Sequence, residues 1–201
     1  MTWNDISINK FNQLTDIFTD PDFDENDRVL YEIQILFGVD PFKLSLSQLS
    51  YFAKQMKFLG GEIPNMKIKD IYKLGGKRYR LKKRLEEYNV AMWLDYTNFL
   101  KEGGSGSDNY PRLLSVFLWP EESNEYNEGY DINKVRDDID RYLSIPDAVA
   151  ISAFFLNRLK ALSITFQSYI AKTALTNRLP RTERRKIMKE WIKGVTKTLT
   201  A

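Results

Sequence analysis

Apolar residues return every three or four positions along most of this chain, and one short stretch breaks the rule. That contrast limits the chain to a helical fold with one small β element. Ile8, Phe11, Leu14 and Phe18 form a first stripe behind Ser7, a favoured N-cap residue. Val29, Ile33, Leu36 and Phe37 form a second, which Gly38 terminates. Ser45 and Gln48 have the spacing of a capping box for a helix through Leu49, Phe52, Met56 and Leu59, closed by Gly60-Gly61. The exception is "IYKLGGKRYRL", residues 71–81, where Ile71, Leu74, Tyr79 and Leu81 flank Gly75-Gly76 among interleaved charges. Both glycines tolerate positive φ, so this stretch reads as a β-hairpin at about 68–82. A phosphate-binding loop needs a longer glycine frame ending in Lys-Ser or Lys-Thr, and here Arg78 and Tyr79 follow Lys77.

Beyond the hairpin, Asn89 caps an expected helix containing Val90, Trp93, Leu94, Thr97 and Leu100. "EGGSGSDNYP", residues 102–111, has the composition of a loop, and residues 102–110 are expected to be flexible. "LLSVFLWP" is a short buried segment, helix or strand, and the acidic stretch to Gly129 reads as an exposed loop. Asp131 caps a helix with Ile132, Val135, Ile139 and Tyr142, closed at Ile145-Pro146. A long helix is expected from Asp147 to about Asn177, with Ile151, Phe155, Leu159, Leu162, Phe166 and Tyr169 on one stripe. Pro180 opens a last helix. The predicted fold is mainly α: a multi-helix domain over 1–177 with a small hairpin, and a basic amphipathic helical arm over 178–201.

The 201 residues include 43% apolar and 13% aromatic side chains, enough for a real core. There is neither cysteine nor histidine, which removes disulfides, thiolate and imidazole metal ligands, and every histidine-containing triad. Adjacent acids such as Asp137-Asp138 and Glu86-Glu87 point about 100° apart on a helix and do not form an acid/base couple. Asp20, Asp22 and Asp24 alternate like calcium ligands, but Glu25 and Tyr31 stand where an EF-hand loop needs glycine and glutamate. These acids read as a helix entrance favoured by the dipole. The chain is therefore expected to be no enzyme and to use no cofactor or metal. "MTWNDISINKF" does not read as a signal peptide, and "IPDAVAISAFFL", residues 145–156, is too short to span a bilayer, so a soluble protein is expected.

Charge is segregated. Residues 67–84 hold nine basic side chains against Asp70, and residues 172–201 hold nine against Glu183 and Glu190. Residues 20–27 carry five acids, and residues 121–140 carry eight against Lys134 and Arg136. Such blocks pair within one chain or between copies. Lys77, Arg78, Arg80, Lys82, Lys83 and Arg84, with Tyr72 and Tyr79, also suit phosphates and stacked bases, so a nucleic-acid-associated protein is one reading. The last helix places Ile187, Trp191, Val195 and Leu199 on one stripe. Arg185, Lys189, Lys193 and Lys197 lie on another, about 200° away, as an arm for a partner would need.

The order of features is also informative: the hairpin, "YNVAMWLDYTNFLKEG", "LLSVFLWPE", "NEGYDINKV" and "AVAISAFFL". This layout resembles small structural or assembly proteins of tailed bacteriophages, including the tail-assembly chaperone type, over less than half of the chain. The N-terminal helices and the basic C-terminal helix are not part of that pattern. The resemblance implies a noncatalytic protein working through contacts with other phage structural proteins or copies of itself. It would act in the host cytoplasm during assembly, or in the virion. Burying Trp191 alone contributes about 2–3 kcal/mol. If the last helix is an arm, truncation at Arg181 leaves the monomer's melting temperature nearly unchanged and abolishes assembly. Thermal melting combined with light scattering checks this.

Overall fold

The computed structural model describes residues 1–84 and 87–158, which are mainly helical with one small antiparallel sheet. The chain divides into two compact units, Met1–Ser152 and Ala153–Ala201. The boundary expected at 177/178 and the basic C-terminal helix lie outside the described residues.

Three N-terminal helices form the first layer. Helix α1 (Ile8–Thr19) starts at Ser7, whose hydroxyl accepts the Lys10 N–H at 3.3 Å. It buries Ile8, Leu14 and Ile17, while Phe18 of the expected stripe points to solvent. Helix α2 (Glu25–Phe37) is capped by Asp24, which accepts the Asp27 N–H at 2.8 Å, and Gly38 ends it at φ +66°. The Lys10 ammonium donates to the Leu36 carbonyl at 2.9 Å, placing positive charge at the C-terminal end of the α2 dipole. Helix α3 (Leu46–Gln55) has the anticipated capping box, with Ser45 and Gln48 bonding each other's backbone N–H. It ends sooner than expected, and a short 3-10 helix at Lys57–Gly60 follows. Phe58 then meets Trp3 edge-on at 5.3 Å.

The core of this layer is Ile6, Leu14, Ile33, Leu36, Met56 and Ile145. Ile145 belongs to the far end of the unit and arrives through a single β-bridge between Ser7 and Ser144. The Ile8 N–H donates to the Leu143 carbonyl at 3.2 Å, and the Ile145 N–H to the Ile6 carbonyl at 2.8 Å.

The hairpin forms as expected. Strands β1 (Ile71–Leu74) and β2 (Lys77–Leu81) join through Gly75 and Gly76 at φ +55° and +81°, the two positive values that a tight hairpin turn of this hand requires. "LLSVFLWP" is both helix and strand. Helix α5 (Tyr110–Ser115) precedes β3 (Leu118–Pro120), which pairs antiparallel with β2 to give the order β1-β2-β3. Three residues are too few for alternation to be visible in sequence.

Helix α4 (Val90–Gly103) is capped by Asn89 at 2.9 Å from the Met92 N–H, but its buried face is not the expected one. Met92 and Tyr96 are buried, whereas Trp93 and Leu94 are exposed. Tyr96 packs its ring 5.2 Å from Phe117, so the aromatic contact decides which side turns inward. Residues 102–110, expected as a flexible loop, are a tied turn. Buried Asn109 donates from Nδ2 to the carbonyls of Phe99 and Gly104, both at 2.8 Å. A Cβ on Gly103 would lie 2.6 Å from the Asn109 side chain. The acidic stretch after Pro120 is anchored too, by buried Tyr126 donating to Asp95 at 2.8 Å.

Helix α6 (Ile132–Tyr142) is capped by Asp131 and buries Val135 and Ile139. Helix α7 spans residues 145–152 in this unit, beginning two residues before the expected Asp147. In the second unit, residues 153–158 are helical, with Arg158 4.4 Å from the Phe154 ring centroid. The stripe from Leu159 to Tyr169 lies outside the described residues.

Asn109→Ala leaves two carbonyls at the end of α4 without their donor. We expect a loss of about 2 kcal/mol in urea unfolding, with unchanged far-ultraviolet circular dichroism.

Candidate interaction surface

Antiparallel pairing puts residues of β2 alternately on the two faces of the sheet. Tyr79 and Leu81 point inward, while Arg78 and Arg80 point outward. This alternation sets the fate of the hairpin cations. Lys77 lies 2.6 Å from Asp138 of α6, and the Tyr79 hydroxyl donates to the same carboxylate oxygen. Arg78 forms an ion pair and a 3.2 Å hydrogen bond with Glu121, which Arg80 also approaches at 3.7 Å. Lys83 pairs with Asp70 at 2.8 Å. Lys82 is buried, its ammonium 4.6 Å from the Trp119 ring centroid, a cation–π contact. Arg84 is exposed, and its backbone N–H donates to Glu87 at 3.1 Å.

The basic block is thus largely matched from within, by acids of the segregated 121–140 block and by Asp70. Tyr72 and Tyr79 do not offer rings to bases: they are 3% and 1% exposed and belong to the core. Burial raises the Tyr72 phenol to about 12 although its oxygen accepts the Lys69 N–H at 3.0 Å. Burial, then the hydrogen bond to Asp138, raises Tyr79 as well. Ile187, Trp191, Val195, Leu199, Arg185, Lys189 and Lys193 lie outside the described residues.

Two features escaped the sequence reading. The first is a cleft of about 530 Å³ between β1 with its lead-in and residues 142–147. On one side Lys69 reaches both oxygens of Asp147, at 3.0 and 3.1 Å. The Ser144 hydroxyl donates to Asp147 at 3.1 Å and accepts the Asp147 N–H at 3.4 Å. This is a reciprocal cap for α7, and the Ser-x-x-Asp spacing at 144–147 was its available signal. The serine proton is committed to the cap, and the lysine neutralises the carboxylate. Such a wall suits binding rather than nucleophilic attack.

The second is apolar surface around α3. Phe42 is 77% exposed, Leu46 86% and Tyr51 59%, and α3 has no fully buried residue. Sequence periodicity marks apolar positions but not which of them the other described residues leave uncovered. Asp20 and Asp24 act as turn and cap groups, accepting the Asp22 N–H at 2.9 Å and the Asp27 N–H at 2.8 Å. Among the described residues no group of three or more acids has the arrangement of a metal site, and no helix is long and apolar enough to cross a membrane.

No protein-family model, curated protein or solved structure matches this chain.

Burial pushes the Asp138 pKa up, but the hydrogen bonds from Lys77 and Tyr79 outweigh it, so the carboxyl sits below its ordinary value. A carboxyl depressed in the folded state adds stability above its unfolded pKa and loses it as pH falls through the folded value. Asp138→Asn keeps an acceptor for Tyr79 and removes the charge. It should cost about 1 kcal/mol at pH 7, a difference that shrinks below about pH 4 in denaturant melts.

Proposed function

We propose that this protein is a noncatalytic assembly protein that acts through protein–protein contacts. The observation behind this reading is the exposed apolar surface around α3, where Phe42 and Leu46 are 77% and 86% exposed. Large apolar side chains left this far in solvent are surface that a partner can bury, and Phe42 and Leu46 stand only four residues apart in sequence. Phe42 follows the buried Pro41, and Leu46 opens α3 directly after its cap, so short connections hold both side chains. A partner would gain apolar burial on a pre-ordered element and pay little ordering entropy.

The setting we propose, on the layout resemblance alone, is the building of a tailed phage, with the protein as a virion or tail component or as a tail-assembly chaperone. The partner is another structural subunit of that assembly. Pairing of Lys77, Arg78, Arg80 and Lys83 with carboxylates weighs against the nucleic-acid reading, since those acids would have to be displaced or would repel phosphate.

Phe42→Ser with Leu46→Glu tests the contact. Both positions face water, so the variant's stability should stay within about 0.5 kcal/mol of wild type, while incorporation or assembly of particles is lost. Particles that assemble normally around the variant would overturn the reading. Mass spectrometry of mature virions separates the versions: a subunit is abundant there, and a chaperone is absent.

A further inference from the structure

The sheet has an open side. In the order β1-β2-β3, β1 is an edge strand, and its register pairs Tyr72 with Tyr79 and Leu74 with Lys77. The two-residue turn makes these the hydrogen-bonded pairs, and the Leu81 N–H donating to the Asp70 carbonyl at 2.8 Å continues the series. The backbone groups of Ile71 and Lys73 therefore point away from the sheet. Among the described residues, nothing hydrogen-bonds to them. An edge of this kind is a template for another strand unless something blocks it.

Here the ground beside the edge is hollow. The 530 Å³ cleft is lined by Ile71, Tyr72, Lys73 and Leu74 on one side and by Tyr142 and Leu143 on the other. That volume lies within the usual range of ligand sites. The edge also carries a net positive charge, although Asp70 beside it is exposed. Lys67 and Lys73 are exposed along it, and Lys69 keeps half of its side chain in solvent, whereas the nearby acids Asp70 and Asp147 are already paired with Lys83 and Lys69.

We propose that the open edge of β1 binds an extended acidic segment of a partner protein as a fourth strand. Main-chain hydrogen bonds to Ile71 and Lys73 hold the segment, apolar side chains at alternate positions enter the cleft, and acidic ones between them face Lys73. Charge selects the occupant. The chain's own residues 172–201, with nine basic side chains, suit this edge poorly. The site is built from other residues than Phe42 and Leu46, so it goes beyond the contact proposed above and is tested apart from it.

The probe is a fluorescein-labelled peptide of alternating valine and glutamate, titrated against the full chain by anisotropy at low salt. Two further peptides carry N-methyl groups on the valine amides or on the glutamate amides. In an extended strand these two sets point to opposite sides, so one methylated peptide should bind like the parent and the other at least about tenfold more weakly. Lys73→Pro removes an outward N–H that pairs with nothing in the described fold, and should weaken the parent peptide by about tenfold. If that variant does not fold, the methylated pair on the unaltered chain decides alone. Absence of binding, or equal binding of both methylated peptides, overturns strand addition. So does a single-stranded DNA oligonucleotide that binds this chain where the peptide does not, which would assign the lysines to phosphate.

Discussion

One β-bridge joins the two ends of the first unit and completes the core of its N-terminal helices. Ser7 and Ser144 pair antiparallel, and their neighbours Ile6, Ile8, Leu143 and Ile145 are all buried. Two backbone hydrogen bonds are a modest net contribution, about 1 kcal/mol each. Their importance is positional. They set Ile145 into the core of the N-terminal helices and, through Leu143, fix where α6 ends and α7 begins. Asn9 of α1 reinforces the junction with a 3.0 Å bond to Asp140. Without the bridge, the three N-terminal helices would lack one wall of their core.

Electrostatics makes the second connection. The hairpin is held on α6 by Asp138, which serves both Lys77 and Tyr79, and β2 is held to the end of β3 by Glu121. Surface ion pairs usually contribute little. Asp138 differs because its carboxylate is largely shielded and accepts from a buried phenol, so removing it strands a polar group as well as a charge. The opposite charges of residues 67–84 and 121–140 thus meet in internal seams. Lys73 of β1 and Lys67 ahead of it, away from those seams, are exposed.

Much of the fold was legible in the chain. Caps at Ser7, Ser45, Asn89 and Asp131 and the glycines at 38, 75 and 76 mark element ends because each answers a local demand: an orphan N–H or a positive φ. What the sequence concealed depends on distant neighbours. α4 offers two apolar faces, and Phe117 chooses the one with Tyr96. "EGGSGSDNYP" has the composition of a loose loop, yet Asn109 ties it through carbonyls five and ten residues away. The cleft and the exposed surface of α3 were invisible for the same reason, since both are defined by what the other described residues leave unfilled.

The bridge at Ser7 has a consequence during translation. The partners of Ile6 and Ile8 are among the last residues of the unit to leave the ribosome. Between the synthesis of Met56 and that of Ile145, α1 to α3 wait with an unfilled wall. At roughly 5–20 residues per second this interval lasts several seconds, long compared with helix formation. A nascent chain in that state exposes the apolar residues that Ile145 later covers. Closure of so long a loop costs entropy only logarithmically, so the length of the loop by itself adds little to the free energy of sealing. The order of synthesis, more than the stability of any element, then sets how long the chain is vulnerable to aggregation.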